Sequence, residues 1–276
     1  MVETKFFSPW FCPYAQPAWL TLAHHDIPFV YGKSLMVNKD QDLGKNGYTK
    51  LPCLLELNPI GLVPTLEVEP DLVEKLEVST KKMLKQHEKE GAWIMSESID
   101  CMVFLNTVAM KHLGGTHDIM PDAVVESLLN DASKIYNPNI CSTFYRILMK
   151  PTMEERKEAF DFSASSIAEF LKEVQPEGFY QSQNPTIVDF AVIPRLLRIH
   201  ILKHYRPAFK LEDQLDETDM QKLEEYLSRV RRLEAVQKTL WKDDKDLIDV
   251  YLRYANGSAK SQVGEAINKG KNAHDV

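Results

Sequence analysis

Apolar positions change their spacing roughly one third of the way along the chain. In the first third they come in short runs set off by turn residues. Lys5-Phe6-Phe7-Ser8, followed by Pro9, predicts a strand that ends in a turn. Pro28-Phe29-Val30-Tyr31, the run 63–68 and Ala92-Trp93-Ile94-Met95 predict three more strands. Between them the apolar residues recur at helical spacing. Ala15, Trp19, Leu20, Leu22 and Ala23 mark a helix over 13–25, where Pro13 suits a first turn that needs no N–H. A short helix is expected over 51–57. Ile99, Met102, Val103, Leu105 and Val108 mark another over 97–111. Strands alternating with helices predict an α/β layer.

The rest reads as helix throughout. Helical periodicity runs over 123–149, 152–174, 186–204, 219–233 and 242–254. Thr186-Ile187-Val188-Asp189 has the form of a capping box, which fixes where one buried helix begins. Gly114-Gly115-Thr116-His117 reads as a connection. The expected organisation is an α/β domain over 1–111, a linker over 112–121, an all-helical domain over 122–256 and a frayed polar tail over 257–276. Two polar stretches, 36–49 and 69–91, read as insertions in the first domain. The second is strongly charged, and its plain reading is a solvated helical excursion.

Composition narrows the function classes. The chain has 276 residues, enough for two domains at about 100–200 residues each. Its 44% hydrophobic content supports a sizeable core and excludes wholesale disorder. The net charge is −7, so no overall attraction to nucleic acid or anionic membrane is expected. No apolar run is long enough to span a bilayer, and no secretory signal is evident. Four cysteines are too few for a disulfide scaffold and read as thiols in a reducing compartment, the cytoplasm.

One cysteine stands apart. Phe11-Cys12-Pro13-Tyr14-Ala15 places Cys12 at or near the N-cap of the helix expected over 13–25. Unpaired backbone N–H groups and the positive dipole end stabilise an anion there. That lowers a thiol's pKa and makes it nucleophilic. A free cysteine is more often a small buried hydrophobe, but a core position needs no helix N-terminus. Ala15 stands where a CxxC motif would put its second cysteine. The chemistry open to Cys12 is therefore monothiol: attack, a mixed disulfide, and resolution by an external thiol. Cys53, Cys101 and Cys141 lie among apolar neighbours and read as packed thiols. His200 and His204 have a spacing that can hold metal on one helix face, yet no third ligand is evident, and no metal is expected.

Four segments in order resemble the glutathione transferase family: Phe11-Cys12-Pro13-Tyr14-Ala15-Gln16, Asn58-Pro59-Ile60-Gly61-Leu62-Val63-Pro64-Thr65-Leu66, Glu97-Ser98-Ile99-Asp100 and Pro185-Thr186-Ile187-Val188-Asp189-Phe190. The cysteine in the first resembles the omega and lambda classes. The resemblance implies a thioredoxin-like α/β N-terminal domain that binds glutathione as co-substrate, followed by an all-α C-terminal domain that walls the acceptor site. It implies Cys12 as the catalytic residue. Val63-Pro64 resembles the family's cis-proline turn, whose backbone pairs with the cysteinyl part of glutathione. Ser98 and the helix start after it would hold the γ-glutamyl carboxylate, and Glu97 would meet its ammonium. Lys50 resembles a basic residue that meets the glycine carboxylate, and Tyr14 would cover the sulfur. Tyr136, Tyr145, Ile193, Leu197 and His200 are the candidates for the acceptor pocket. Where the cysteine classes often carry an arginine after Cys-Pro-x-x-x, this chain has Pro17. The stretch 36–49 would lie over the glutathione site, and 69–91 would alter the dimer surface of a homodimer.

The leading expectation is a glutathione-dependent thiol transferase or reductase. It would act on a small-molecule or protein disulfide, by deglutathionylation or dehydroascorbate-type reduction. Two alternatives stay open. One is conjugation of glutathione to electrophiles, for which a cysteine is a poor substitute for a hydroxyl donor. The other is a non-enzymatic scaffold or chloride-channel-like protein that reuses the fold, with 69–91 as a docking arm.

Overall fold

The computed structural model of the chain describes residues 4–37, 48–82, 84–86, 93–241, 243–259, 261–269 and 271. They divide into two compact units. The first holds the described residues up to Val37, then Tyr48–Pro121, and a later segment, Glu234–Leu240. The second holds Asp122–Leu233 and the described residues from Trp241 onward.

In the first unit the four strands and three helices expected from the sequence occur in that order, with β3, β4, α3, α4 and β6 in addition: β1 (Thr4–Phe7), α1 (Gln16–His24), β2 (Phe29–Gly32), β3 (Leu35–Val37), β4 (Tyr48–Lys50), α2 (Pro52–Leu57), β5 (Thr65–Val68), α3 (Pro70–Lys75), α4 (Val78–Lys81), β6 (Lys85–Gln86), β7 (Trp93–Ser96) and α5 (Ser98–His112). Among the described residues, five strands form one sheet in the order β2-β1-β5-β7-β6. β1 and β2 run parallel, as a β-α-β crossover requires, and the other pairs run antiparallel.

Period-2 alternation decides the faces. Phe6, Leu66 and Met95 stand in register across three strands, all buried, in the core that also takes Leu22 of α1 with Phe104 and Val108 of α5. One residue along, Phe7 turns to the other face and packs with Leu54 and Leu57 of α2. On that same face Lys5 pairs with Glu67 at 3.1 Å. The sheet is thus covered on both sides, as a thioredoxin-like layer demands.

The stretch 69–91 differs from a solvated excursion. Its described part is helical, but Leu72, Val73, Leu76 and Leu84 join the main core, and β6 extends the sheet beside β7. β5 and β7 still pair directly around it. Of the other insertion, β3 and β4 form a short antiparallel pair, and residues 38–47 lie outside the described residues.

The second unit comprises α6 (Val125–Asn130), a π-helical segment (Asp131–Ser142), α7 (Thr143–Met149), α8 (Met153–Glu173), α9 (Ile187–Leu196), a 3₁₀ turn (Ile199–His204), α10 (Glu217–Arg232), α12 (Asp244–Ala255) and α13 (Gln262–Asn268); α11 (Glu234–Thr239) belongs to the first unit. The helix expected over 123–149 widens into the π form around Pro138, which has no N–H to donate and would crowd the carbonyl four residues back. The expected capping box is present. The Thr186 N–H and hydroxyl donate to Asp189 at 2.7 and 2.9 Å. Two corrections concern the end of the chain. α11 packs with α1 instead of joining the helical block assigned to 122–256. The expected frayed tail contains α13, capped by Ser261, whose hydroxyl accepts from the Gly264 N–H at 3.0 Å, and Ala266 and Ile267 are buried.

Candidate functional site

Sheet register gathers the candidate residues of the first unit. Phe7 pairs with Thr65, and Thr65 with Ser96, so the three form one line across the sheet. The chain leaves β1 after Phe7 toward Cys12. It enters β5 at Thr65 directly after Val63 and Pro64. It leaves β7 at Ser96 directly before Glu97 and Ser98. Neighbouring strands lie about 4.8 Å apart, so all three segments emerge from one sheet end within about 10 Å.

Cys12 is half-buried. Its N–H donates to the Pro9 carbonyl and its own carbonyl accepts the Gln16 N–H, both at 3.1 Å. The regular helix begins only at Gln16, with Ala15 before it, and not at residue 13. The reason is Pro17, which has no N–H for the Pro13 carbonyl and interrupts the ladder at its second rung. Cys12 therefore does not stand at the N-cap of α1. It heads the single α-turn that leads into the helix, and there its carbonyl takes the part an N-cap carbonyl takes. Tyr14, one turn on, is also half-buried.

Tyr31 of β2 was not singled out from the sequence. Its hydroxyl donates to the Ser8 carbonyl, at the start of the Cys12 loop, and its ring packs on Trp19 with centroids 5.5 Å apart. Burial pushes the phenol up to about 12, and negative charge at Cys12 pushes in the same direction. Sequence could not supply this neighbour, because no local pattern fixes the parallel register of β1 and β2.

The loop before β5 is braced from within. The Asn58 amide donates to the Leu62 carbonyl at 3.2 Å and to Thr65 Oγ1 at 3.1 Å, and that hydroxyl donates to Leu62 at 2.8 Å. Gly61 closes the turn on Asn58 with φ of +67°, and a Cβ there would meet Lys50 Cδ at 2.6 Å. The Val63–Pro64 peptide is cis. Lys50 Nζ donates to the Ile60 carbonyl at 2.7 Å, which ties β4 to this loop, and burial lowers its pKa from the ordinary lysine value. Asn58 and Thr65 are thus positioning residues that the motif contained and the sequence reading passed over.

Glu97 is exposed and holds φ of +99°, a conformation uncommon for a residue with a Cβ. Its carbonyl accepts the Cys101 N–H at 2.9 Å, so this bend starts α5 with Ser98 as its first residue.

The proposed acceptor residues are placed otherwise. Tyr136, Tyr145, Ile193 and Leu197 are interior side chains of the second unit. Tyr136 lies edge-on to Phe170 and Tyr180, and Tyr145 packs against Tyr251, Tyr254 and the Arg195 guanidinium. Their periodicity marks a core-facing stripe, which is a different thing from an open pocket wall. His200 sits at the surface, 2.8 Å from the Asp244 carboxylate. Among the described residues no group of three or more His, Cys, Asp or Glu is placed to hold a metal ion.

The remaining thiols divide. Cys101 and Cys141 are fully buried, and burial raises both pKa values, that of Cys141 to about 11 despite the nearby Arg195. Cys53 is exposed, with its thiol 3.4 Å from the Lys33 carbonyl, and not packed as its apolar neighbours implied. No helix among the described residues is long and apolar enough to cross a membrane.

Residues 11–108 match the family model for the glutathione S-transferase N-terminal domain, a span that takes in every candidate residue of the first unit. No curated protein matches the chain significantly by sequence. Solved structures resemble it over nearly its whole length. Glutathione transferase Omega 3C from Trametes versicolor aligns with a TM-score of 0.66 and 22% identity, covering 94% of this chain and 92% of that one. A Xi class glutathione transferase from Natrialba magadii aligns with a TM-score of 0.67 and 16% identity, covering 92% and 76%. Rice GST1 in complex with glutathione aligns with a TM-score of 0.63 and 17% identity, covering 92% and 97%. The motif order, the sheet end it builds and the family match identify residues 11–108 as a glutathione S-transferase N-terminal domain, in a chain whose fold resembles that of glutathione transferases.

Proposed function

We propose that the chain is a glutathione-dependent thiol transferase that works through Cys12. The observation that carries this reading is the position of Cys12 at the head of the turn into α1, at the sheet end shared by the Val63–Pro64 loop and the start of α5. In this reading the Val63 backbone pairs with the cysteinyl part of glutathione. Ser98 and the first N–H groups of α5 hold the γ-glutamyl carboxylate, and Glu97 meets its ammonium. Lys50, already held toward the same loop, meets the glycine carboxylate.

The chemistry then balances in two exchanges. The Cys12 thiolate attacks the glutathione sulfur of a mixed disulfide. The old S–S bond breaks, the substrate leaves as a thiolate that takes a proton, and Cys12 becomes glutathionylated. The thiolate of a second glutathione attacks the glutathione sulfur of that adduct. Glutathione disulfide leaves and the Cys12 thiolate is restored. Net, the glutathionylated substrate and one free glutathione give the substrate thiol and glutathione disulfide. Four cysteines held as free thiols fit a reducing compartment such as the cytoplasm.

The test is intact mass after treatment with glutathione disulfide. Because Cys53 is exposed, it is run in a Cys53→Ala background. One glutathione adduct is expected, removed by excess glutathione and absent when Cys12→Ala is added. An adduct that survives Cys12→Ala, or exchange activity that does, overturns the assignment. Activity with an aryl halide far above that with a mixed disulfide would favour conjugation instead.

A further inference from the structure

The first unit holds a concavity at the sheet end opposite the Cys12 segment. Thr4 and Phe7 stand at opposite ends of β1, three residues and about 10 Å apart. Phe7 marks the Cys12 end. At the Thr4 end lies a cavity of about 270 Å³ lined by Thr4, Ile27, Pro28, Leu72, Phe104, Leu105, Val108 and Leu113. We infer that this cavity is a binding site for a small, neutral, apolar ligand of one or two rings, distinct from the glutathione site and independent of the Cys12 chemistry.

Its lining argues the chemistry. Among the described residues that line it, Thr4 supplies the one polar side chain. The backbone around it is committed, since Thr4 pairs with Phe29 in the sheet and Phe104, Leu105 and Val108 lie within α5. A charged or strongly polar ligand would give up its water and find few partners in return. An apolar ligand gains in proportion to the surface it buries. The size sets the class. A cavity of about 150 Å³ lined by Leu, Ile and Phe is enough to admit benzene, and drug-sized pockets begin near about 300 Å³.

The wall has a particular origin. Leu72 comes from α3, inside the stretch 69–91 that departs from a simple β5–β7 hairpin. The same short helix sends Val73 into the core, and Leu76 just after it does likewise, while Leu72 closes this concavity over α5. Without the excursion, the flank formed by Ile27, Phe104 and Val108 would lack that side. An unfilled apolar volume of this size is costly to keep. Entry is by the Leu113 and Pro28 side, where Leu113 is 42% exposed just past the end of α5.

The test uses 1-fluoronaphthalene as the probe, followed by fluorine NMR on the full chain. Saturable broadening and shift of the probe signal are expected with wild type and with Cys12→Ala, and excess glutathione should not displace it. Val108→Phe fills the cavity from α5, and Leu113→Trp obstructs its mouth at an exposed position that folding tolerates. Each should weaken binding at least tenfold, and naphthalene-1-sulfonate should bind wild type at least tenfold more weakly than the neutral probe. Thermal unfolding checks that Val108→Phe is folded; if it is not, Leu113→Trp decides alone. No saturable binding to wild type, binding unchanged in Leu113→Trp, or displacement by glutathione overturns the inference.

Discussion

Asn58 Nδ2 donates to Thr65 Oγ1 at 3.1 Å, across the loop that carries Val63 and Pro64. Both side chains are buried, and both also bond to the Leu62 carbonyl. Asn58→Ala therefore removes one donor from the Thr65 hydroxyl and one from the Leu62 carbonyl, which keep their bond to each other, and loosens the loop. Each hydrogen bond lost in this way is worth about 0.5–1.5 kcal/mol. The unfolding midpoint in urea should drop accordingly. In the proposed function, the dissociation constant for glutathione should rise roughly tenfold, equivalent to about 1.4 kcal/mol. Calorimetric titration that finds wild-type affinity in Asn58→Ala would show that the bracing does not set the loop for glutathione.

Tyr31 and Ser8 make a similar pair on the other side of Cys12. Tyr31→Phe keeps the ring packing on Trp19 and removes only the hydroxyl. The lost hydrogen bond should cost about 1 kcal/mol of stability. Because the phenol is held neutral up to about pH 12, the substitution removes no charge near Cys12 at neutral pH. The rate of Cys12 alkylation should thus keep its pH midpoint while its plateau falls a few-fold as the loop loosens. A shifted midpoint would mean that the hydroxyl bonds the thiolate itself.

Much of this arrangement was legible in the chain. Period-2 runs and helical spacing located four strands and three helices of the first unit, because each buries one face against one core; β3, β4, β6, α3 and α4, in the stretches read as insertions, were not located. Other features were not legible either. The start of α1 moved from residue 13 to Gln16 because a proline's missing N–H acts on a residue four positions earlier. Tyr136 and Ile193 were candidates for the acceptor pocket, but periodicity cannot orient a side chain, and both are buried in the second unit. α13 hides in a polar tail because only a few small or apolar residues, Ile267 among them, seat it.

The thiols offer a direct count. Cys12 is half-buried and Cys53 exposed, whereas Cys101 and Cys141 are fully buried with raised pKa values. Iodoacetamide at neutral pH should add two labels to the native chain and four after unfolding, read by intact mass. In the proposed function, Cys12 reacts first and Cys53→Ala leaves exchange activity unchanged. Native labelling of Cys101 or Cys141 would contradict the packing of the two cores.

Histidines at the end of α1 make stability pH-dependent. His24 Nε2 lies 3.2 Å from the His117 carbonyl, which can only accept, so that nitrogen carries the proton of the neutral ring. Burial, with His25 beside it, lowers the His24 pKa from 6.5 to about 4. Between those values the unfolded chain binds a proton that the folded chain refuses. Stability from this group is complete above pH 6.5 and is lost as pH falls toward 4. Asp189 titrates in the opposite sense over part of that range, so the difference between wild type and His24→Gln isolates the effect. Wild type should lose more stability than His24→Gln on going from pH 7 to 4.5. Parallel losses would mean that His24 is charged in the folded state.

Asp189 is the polar centre of the second unit. Its carboxylate accepts from the N–H groups of Tyr180 and Thr186, from the Thr186 hydroxyl, and from the Tyr226 hydroxyl at 2.8 Å. It thereby joins the start of α9, the turn after α8 and the buried face of α10. Asp189→Ala leaves those donors without an acceptor at about 1–3 kcal/mol each, enough to consume most of the stability of a domain worth about 5–15 kcal/mol. Loss of cooperative unfolding by circular dichroism is expected. Asp189→Asn keeps one acceptor oxygen, should fold, and should be less stable than wild type. Its pH dependence separates two forces on the carboxyl. Burial pushes the pKa up to about 6 while the donors pull it down, and burial wins. The folded chain then binds more protons than the unfolded between about 3.8 and 6, so this group's contribution falls as pH rises through that window. The stability gap between wild type and Asp189→Asn should narrow from pH 4 to pH 6 and stay constant above it. A gap that widens with pH would show that the donors outweigh burial and that Asp189 stays charged throughout.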